Sequence, residues 1–152
     1  MILLKKGFIP MSVWNKQAAA LLVLASVSAT PALANPARDA ILADYAAQAA
    51  KTDPAFKGFS AQRGQALYTA KNATAKPEMD SCQSCHGQDP TQAGRSAKTG
   101  KVLDPMAVSA NPQRFTNKDD VEKWFGRNCK DVLNHECSAL EKGDYITFLS
   151  SR

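Results

Sequence analysis

The densest chemistry in the 152-residue chain lies at Cys82-Gln83-Ser84-Cys85-His86. Two thiols separated by two residues, with an imidazole directly after them, form the attachment spacing of a c-type haem: the thiols add across the two vinyl groups and the histidine takes the proximal face of the iron. A redox dithiol would want a strand-helix-strand setting that this chain lacks, and half a zinc site would want further ligands. The motif predicts one haem c, covalent through Cys82 and Cys85, with His86 as the proximal iron ligand.

The elements that must position this motif read as helices and loops. Residues 35–51 are alanine-rich, with Pro36 at a first-turn position and Ile41 and Tyr45 on one face, and Pro54 and Gly58 close the segment. Ser60 caps a second helix carrying Gly64, Leu67 and Tyr68 and fading at Lys71. Residues 72–112 are aperiodic and rich in Gly, Pro, Ser, Thr and Lys; a loop of about forty residues in a small domain is suspicious unless it wraps something other than protein. Thr116 with Asp119 caps a third helix that carries Val121, Trp124 and Phe125 inward and stops near Asn128. Ser138 and Glu141 have capping-box spacing ahead of Leu140, Ile146 and Leu149. No run alternates with period two, so the domain is expected to be all-α.

The chain also begins with the layout of a secretory signal peptide. Lys5, Lys6 and Lys16 precede an apolar run at residues 18–25, and Ala32-Leu33-Ala34 supplies small residues for cleavage after Ala34. The apolar stretch is short for a spanning helix, which wants ~20 residues. Met11 opens a more compact leader of its own, so either Met1 or Met11 can be the start. The expected division is a cleaved signal at 1–34 and a monohaem cytochrome c domain at 35–152, exported to the periplasm in soluble form. The leader holds three lysines and no acid, so 19 basic residues against 14 acidic become 16 against 14, and the net charge falls from +5 to +2. No basic cluster resembling a nucleic-acid footprint is left, and export permits disulfides.

With the haem motif placed, the layout resembles class I cytochromes c, in which an early helix and the terminal helix cross. Gly64-x-x-Leu67-Tyr68 matches the early helix, and Tyr145 and Phe148 mark the terminal one. The resemblance implies a class I cytochrome c fold wrapped around the haem, with Gly64 permitting close approach. It also implies that a carbonyl beside Pro105 accepts the proximal imidazole proton, which would fix ring orientation and ligand basicity.

The sixth ligand decides between functions. Met79 precedes the motif, and Met106 follows His86 by only 20 residues, so both read more simply as packing residues. Asn128 and His135 follow His86 by 42 and 49 residues. Taken alone, Asn128 is a helix C-cap and His135 an exposed loop residue. The run Val121-Glu122-Lys123-Trp124-Phe125-Gly126-Arg127-Asn128-Cys129, then Cys137 and Glu141-Lys142, together with Arg114-Phe115-Thr116 and the haem motif, is similar to the oxygen-binding c-type cytochromes called sphaeroides haem protein, SHP. The resemblance runs from about Gln62 to Leu149. It implies that Asn128 is the distal iron ligand and that Cys129 and Cys137 form a disulfide beside the haem. Cysteine counting agrees, because two of the four cysteines go to the haem and one bridge is left. The chain departs from the family at Asn134-His135-Glu136, where a Gly-Arg type pair is usual, and this keeps His135 open as a ligand.

An amide oxygen is a hard, weak, neutral donor that holds ferric iron better than low-spin ferrous iron. Release of Asn128 on reduction would open the iron to O2, NO or CO. The alternatives are a plain electron carrier with a stable sixth ligand, His135 or Met106, and a haem enzyme acting on NO with O2. The resemblance further implies a dihaem cytochrome c donor and a membrane cytochrome b as redox partners. Trp124 reads as a core anchor and Arg127 as a solvated or propionate-pairing charge, and neither is given a catalytic role.

Overall fold

The computed structural model describes residues 34–152, so the signal-peptide reading of the first 34 residues falls almost entirely outside the described residues. Helix α1 spans Pro36–Thr52, with the Asn35 side chain accepting from the backbone N–H groups of Ala37 (3.0 Å) and Arg38 (3.3 Å). Helix α2, Ala61–Thr69, starts at Ser60, whose hydroxyl accepts from Arg63 N–H. A short helix α3 covers Gln83–His86, α4 covers Lys118–Asn128, and α5 covers Ala139–Ser150. Ser138 and Glu141 form the reciprocal capping box read from their spacing. Among the described residues no helix is long and apolar enough to cross a membrane.

The long aperiodic segment is not featureless. It holds a 3-10 turn at Pro77–Met79, helix α3, and two two-residue strands, β1 (Gly94–Arg95) and β2 (Val102–Leu103), paired antiparallel with Gly94 opposite Leu103. None is long enough to display a hydrophobic period, which is why the sequence shows no pattern there. Helix α4 also starts one residue later than expected: Asn117 accepts from Asp120 N–H at 3.0 Å, while the Thr116 hydroxyl turns back to donate to the Gln113 carbonyl. Both residues are good caps, and sequence alone does not choose between them.

Helices α2 and α5 form the most extensive helix contact. A Cβ on Gly64 would fall inside the Asp144 carbonyl and within 2.8 Å of Phe148 Cβ, so the expected close crossing is present. Asp144, 4% exposed, locks it: one oxygen accepts from Ser60 N–H (2.7 Å) and Arg63 Nη2 (2.8 Å), the other from Arg63 Nε (2.6 Å). Around the crossing Tyr68, Met106, Tyr145, Phe148 and Leu149 form one apolar cluster; Ile41, Tyr45, Val121 and Ile146 form a second, carrying α1 and α4. Gly64→Ala would gain helix propensity of ~1 kcal/mol but force backbone apart at the crossing, an overpacking cost of ~1–3 kcal/mol. The expected net result is a lower Tm by circular dichroism, and an unchanged or raised Tm would refute the steric reading.

Candidate haem site

Between the two helix clusters and the loop lies a cavity of about 410 Å³, within the range of ~300–1,000 Å³ typical of cofactor sites. Its walls are mostly apolar, from Leu67, Leu103, Phe115, Phe125, Val132 and Leu133. Cys82, Cys85 and His86 line one part of it, carried by a single helical turn in which His86 N–H donates to the Cys82 carbonyl at 3.1 Å. Residues three and four apart share a helix face, so the turn brings both thiols and the imidazole together. The end of the turn is anchored by Tyr68, whose hydroxyl donates to the Gly87 carbonyl at 2.7 Å. Gly94 of β1 lies against the Cys85 carbonyl and His86 Cα, where a Cβ would not fit.

Both thiols are free, and burial pushes the Cys82 thiol up to about 11. Burial, with the charge of Arg114 as a smaller cause, pushes the His86 imidazole down to about 4, so the ring is neutral near pH 7, the form that ligates metals. Its Nδ1 is buried with no hydrogen-bond partner among the described residues. The carbonyl expected to receive that proton is engaged elsewhere: Arg114 Nε donates to the Pro105 carbonyl at 2.9 Å and Arg114 Nη2 to the Asp104 carbonyl at 2.8 Å. No hydrogen bond from Nδ1 to either oxygen is present among the described residues, although a carbonyl oxygen can accept two.

Asn128 lines the same cavity from the last turn of α4, and its side-chain amide makes no hydrogen bond to any described residue. A π-helical turn at residues 129–133 follows it directly, a local widening often found at functional sites. That turn is held at several points. Cys129 and Cys137 are joined in a disulfide with Cα atoms 5.7 Å apart, Asn72 Nδ2 donates to the Val132 carbonyl at 2.9 Å, and Lys98 pairs with Asp131 at 2.7 Å. Closing so short a loop stabilises by about 2–3 kcal/mol in the chain-entropy estimate.

The remaining candidates are distributed differently. Trp124 is 50% exposed rather than inward and lines the cavity, whereas its neighbour Phe125 both lines the cavity and packs against the core. Arg127 and Lys123 flank the Trp124 ring at 5.9 and 5.5 Å. Met79 and Met106 are buried in the cavity wall, and Met106 is also packed into the Tyr68–Tyr145 cluster. His135 does not line the cavity. Its Nε2 meets Glu141 at 3.0 Å and its Nδ1 the Leu133 carbonyl at 3.1 Å, at the capping box of α5. Sequence reading missed Gly94, Asn72 and the role of Arg114, whose partners are remote or purely backbone. Among the described residues no three His, Cys, Asp or Glu side chains gather at a metal-binding spacing.

Residues 54–149 match the family described as a domain of unknown function, DUF1924. The cytochrome c-type protein SHP of Cereibacter sphaeroides is 42% identical over 132 residues, covering 86% of this chain and 97% of that protein. The chain belongs to the SHP family of c-type cytochromes. The structure of oxidized SHP, an oxygen-binding cytochrome c, superposes with a TM-score of 0.68 at 39% identity over 76% of this chain and 96% of that one. Cytochrome c'' of Methylophilus methylotrophus is 33% identical over 69% of this chain and 73% of that protein. Its solution structure, which addresses the structural basis of haem-ligand detachment in that protein, matches with a TM-score of 0.64 at 30% identity, over 76% of this chain and 93% of that one. This SHP-family chain therefore has the all-α cytochrome fold and carries covalently attached haem. The site fits that group: two free thiols on one turn, a half-buried neutral imidazole whose buried Nδ1 has no partner among the described residues, and apolar walls.

The hydrogen bond that His135 donates to the Glu141 carboxylate, then the one to the Leu133 carbonyl, raises its imidazole above the ordinary value. A raised pKa makes the interaction fully stabilising below the unfolded-state value of ~6.5, and the stabilisation is lost as pH rises through the higher folded value. The chain has only two histidines and the half-buried His86 is pushed down to about 4, so this near-neutral step belongs to His135. Thermal melts of wild type and His135→Gln across this range should show a loss of stability with rising pH only in the wild type; parallel profiles would contradict the assignment.

Proposed function

We propose that the chain is a periplasmic monohaem cytochrome c in which Cys82 and Cys85 form the thioethers, His86 is the proximal ligand and Asn128 is a weak distal ligand released on reduction. The observation that carries this reading is the placement of Asn128: its amide borders the same cavity as His86 and has no competing hydrogen bond among the described residues. His135, the competing imidazole, is occupied by Glu141 and Leu133 outside the cavity wall. Met106 borders the cavity but sits next to Pro105, on a segment that follows the proximal motif, and its side chain belongs to the aromatic cluster.

The haem supplies a one-electron couple and, in its ferrous state, a coordination position for a diatomic gas. What the chain supplies is a distal donor that does not hold that position in both oxidation states. The amide oxygen of Asn128 is hard and neutral and favours the ferric state, so reduction weakens its hold. Apolar side chains from Phe125, Val132 and Leu133 line the same cavity, and an apolar wall favours O2, NO or CO over charged ligands. Oxygen binding by SHP of Cereibacter sphaeroides and haem-ligand detachment in cytochrome c'' support the same reading. Electrons are expected from a dihaem cytochrome c, with a membrane cytochrome b in the same chain of transfer.

The test compares optical and resonance Raman spectra of both oxidation states in wild type and Asn128→Ala. Wild type should be six-coordinate when ferric and five-coordinate high-spin when ferrous, with rapid CO binding. Asn128→Ala should lose the ferric six-coordinate signature and leave the ferrous spectrum unchanged. A six-coordinate, CO-inert ferrous wild type would overturn the reading in favour of a stable sixth ligand.

A further inference from the structure

The two cysteine sulfurs of the haem-binding turn have different surroundings. Cys85 Sγ accepts from the backbone N–H of Ala97 at 3.4 Å, on the side of the β1–β2 hairpin. Cys82 lies on the core side, packed against the cluster of Tyr68, Met106, Tyr145, Phe148 and Leu149. Within that cluster the Tyr68 hydroxyl is committed to the Gly87 carbonyl at 2.7 Å, whereas the Tyr145 hydroxyl has no nitrogen or oxygen partner among the described residues. A buried tyrosine hydroxyl usually finds a partner. Here that partner is the Cys82 sulfur, which borders the same cavity. Burial pushes both groups up, and the hydrogen bond between them lowers the thiol while raising the phenol, the pattern of a hydroxyl that donates to sulfur.

We propose that Tyr145 is a positioning residue whose hydroxyl donates to the Cys82 thioether sulfur and, acting through that sulfur, raises the reduction potential of the haem. The inference rests on Cys82 being a thioether residue, as in the function proposed above.

Attachment removes the sulfur's hydrogen and leaves its lone pairs, so a thioether at Cys82 can only accept and the hydroxyl can only donate. The ring is held for that role. Tyr145 is 7% exposed, and its ring meets Phe125 at 5.6 Å and 76°, Phe115 at 6.4 Å and 88°, and Tyr68 at 6.1 Å. Its backbone follows Asp144, the residue that Ser60 and Arg63 lock at the helix crossing. The hydroxyl oxygen therefore has a fixed place, and no other side chain of the cluster can supply the bond. Sulfur is a weak acceptor, but a fixed dipole acts more strongly in a low-dielectric interior than in water. A donor on the thioether withdraws electron density from it and disfavours the extra positive charge of the ferric state. Hydrogen bonding around the cofactor is one of the levers a protein has on haem potential.

Tyr145→Phe removes the oxygen and keeps the ring, so the aromatic packing survives. In the variant holoprotein the midpoint potential should fall. The resonance Raman C–S stretch of the Cys82 thioether should move while that of Cys85, with its Ala97 donor, stays. A potential that is unchanged or higher, or two C–S stretches that both stay in place, refutes the role. Should the variant fail to load haem, wild type decides: exchange of the hydroxyl proton for deuterium must shift the Cys82 C–S stretch, and no shift refutes the hydrogen bond. Mass spectrometry of the wild-type haem peptide separates the two possible failures. Haem on Cys85 alone overturns the attachment reading and this inference together, whereas haem on both cysteines with an unmoved potential overturns the role of Tyr145 alone.

Discussion

The crossing of α2 over α5 is the constraint on which the rest of the structure depends. Without a Cβ at Gly64 the two backbones meet at the Asp144 carbonyl, and the Asp144 side chain then closes the joint by accepting from Ser60 and Arg63. This is a nearly dry carboxylate with three donors, so the desolvation that would penalise it is offset by charge-assisted hydrogen bonds. The crossing fixes Tyr68, and Tyr68 holds the end of the haem-binding turn through Gly87. Position is thus handed from helix packing to chemistry in two hydrogen-bonded steps.

The two walls of the cavity are stabilised by different means. The proximal wall depends on arginine donors to backbone carbonyls: Arg38 fixes residues 112–114, and Arg114 fixes residues 104–105. On the distal wall a covalent bridge and a side-chain amide do the equivalent work, through Cys129–Cys137 and Asn72. A loop-rich segment that buries few of its own side chains needs such ties, because a small domain cannot buy rigidity from its core alone. They also explain why the exposed Lys98–Asp131 pair matters little by itself: an isolated surface pair contributes ~0–1 kcal/mol, and the bridge holds the same turn.

Much of this was legible in the sequence because it is local. The haem motif, the Ser138–Glu141 capping box and the Gly64 crossing each follow from residue types at fixed short spacing. The failures share a different cause. Trp124 sits one position from Phe125 on α4, and an apolar residue at that angle serves a core or a cavity equally well until the cavity is located. At Pro105 only the fold shows a guanidinium arriving at the carbonyl from nine residues away. For His135 the competing reading turned on proximity to Asn128, whereas the disulfide loop swings the ring to Glu141 at the start of α5. Hydrogen bonds between a long side chain and a remote backbone leave no periodic trace.

The geometry around Asn128 bears on how a distal donor could leave without cost to the fold. Its backbone is helical, with φ of −74° and ψ of −34°, and the next residue is anchored by the disulfide. Displacing the backbone would strain the bridge, the Asn72 bond and the end of α4 together. Rotating the side chain disturbs none of them, since the amide has no hydrogen bond within the described residues to break. On the proposed reading, ligand release is therefore a rotamer change on a fixed backbone, which keeps the reorganisation small and the step reversible. The bridge next to the ligand then has a purpose beyond stability: it confines the response to reduction to one side chain.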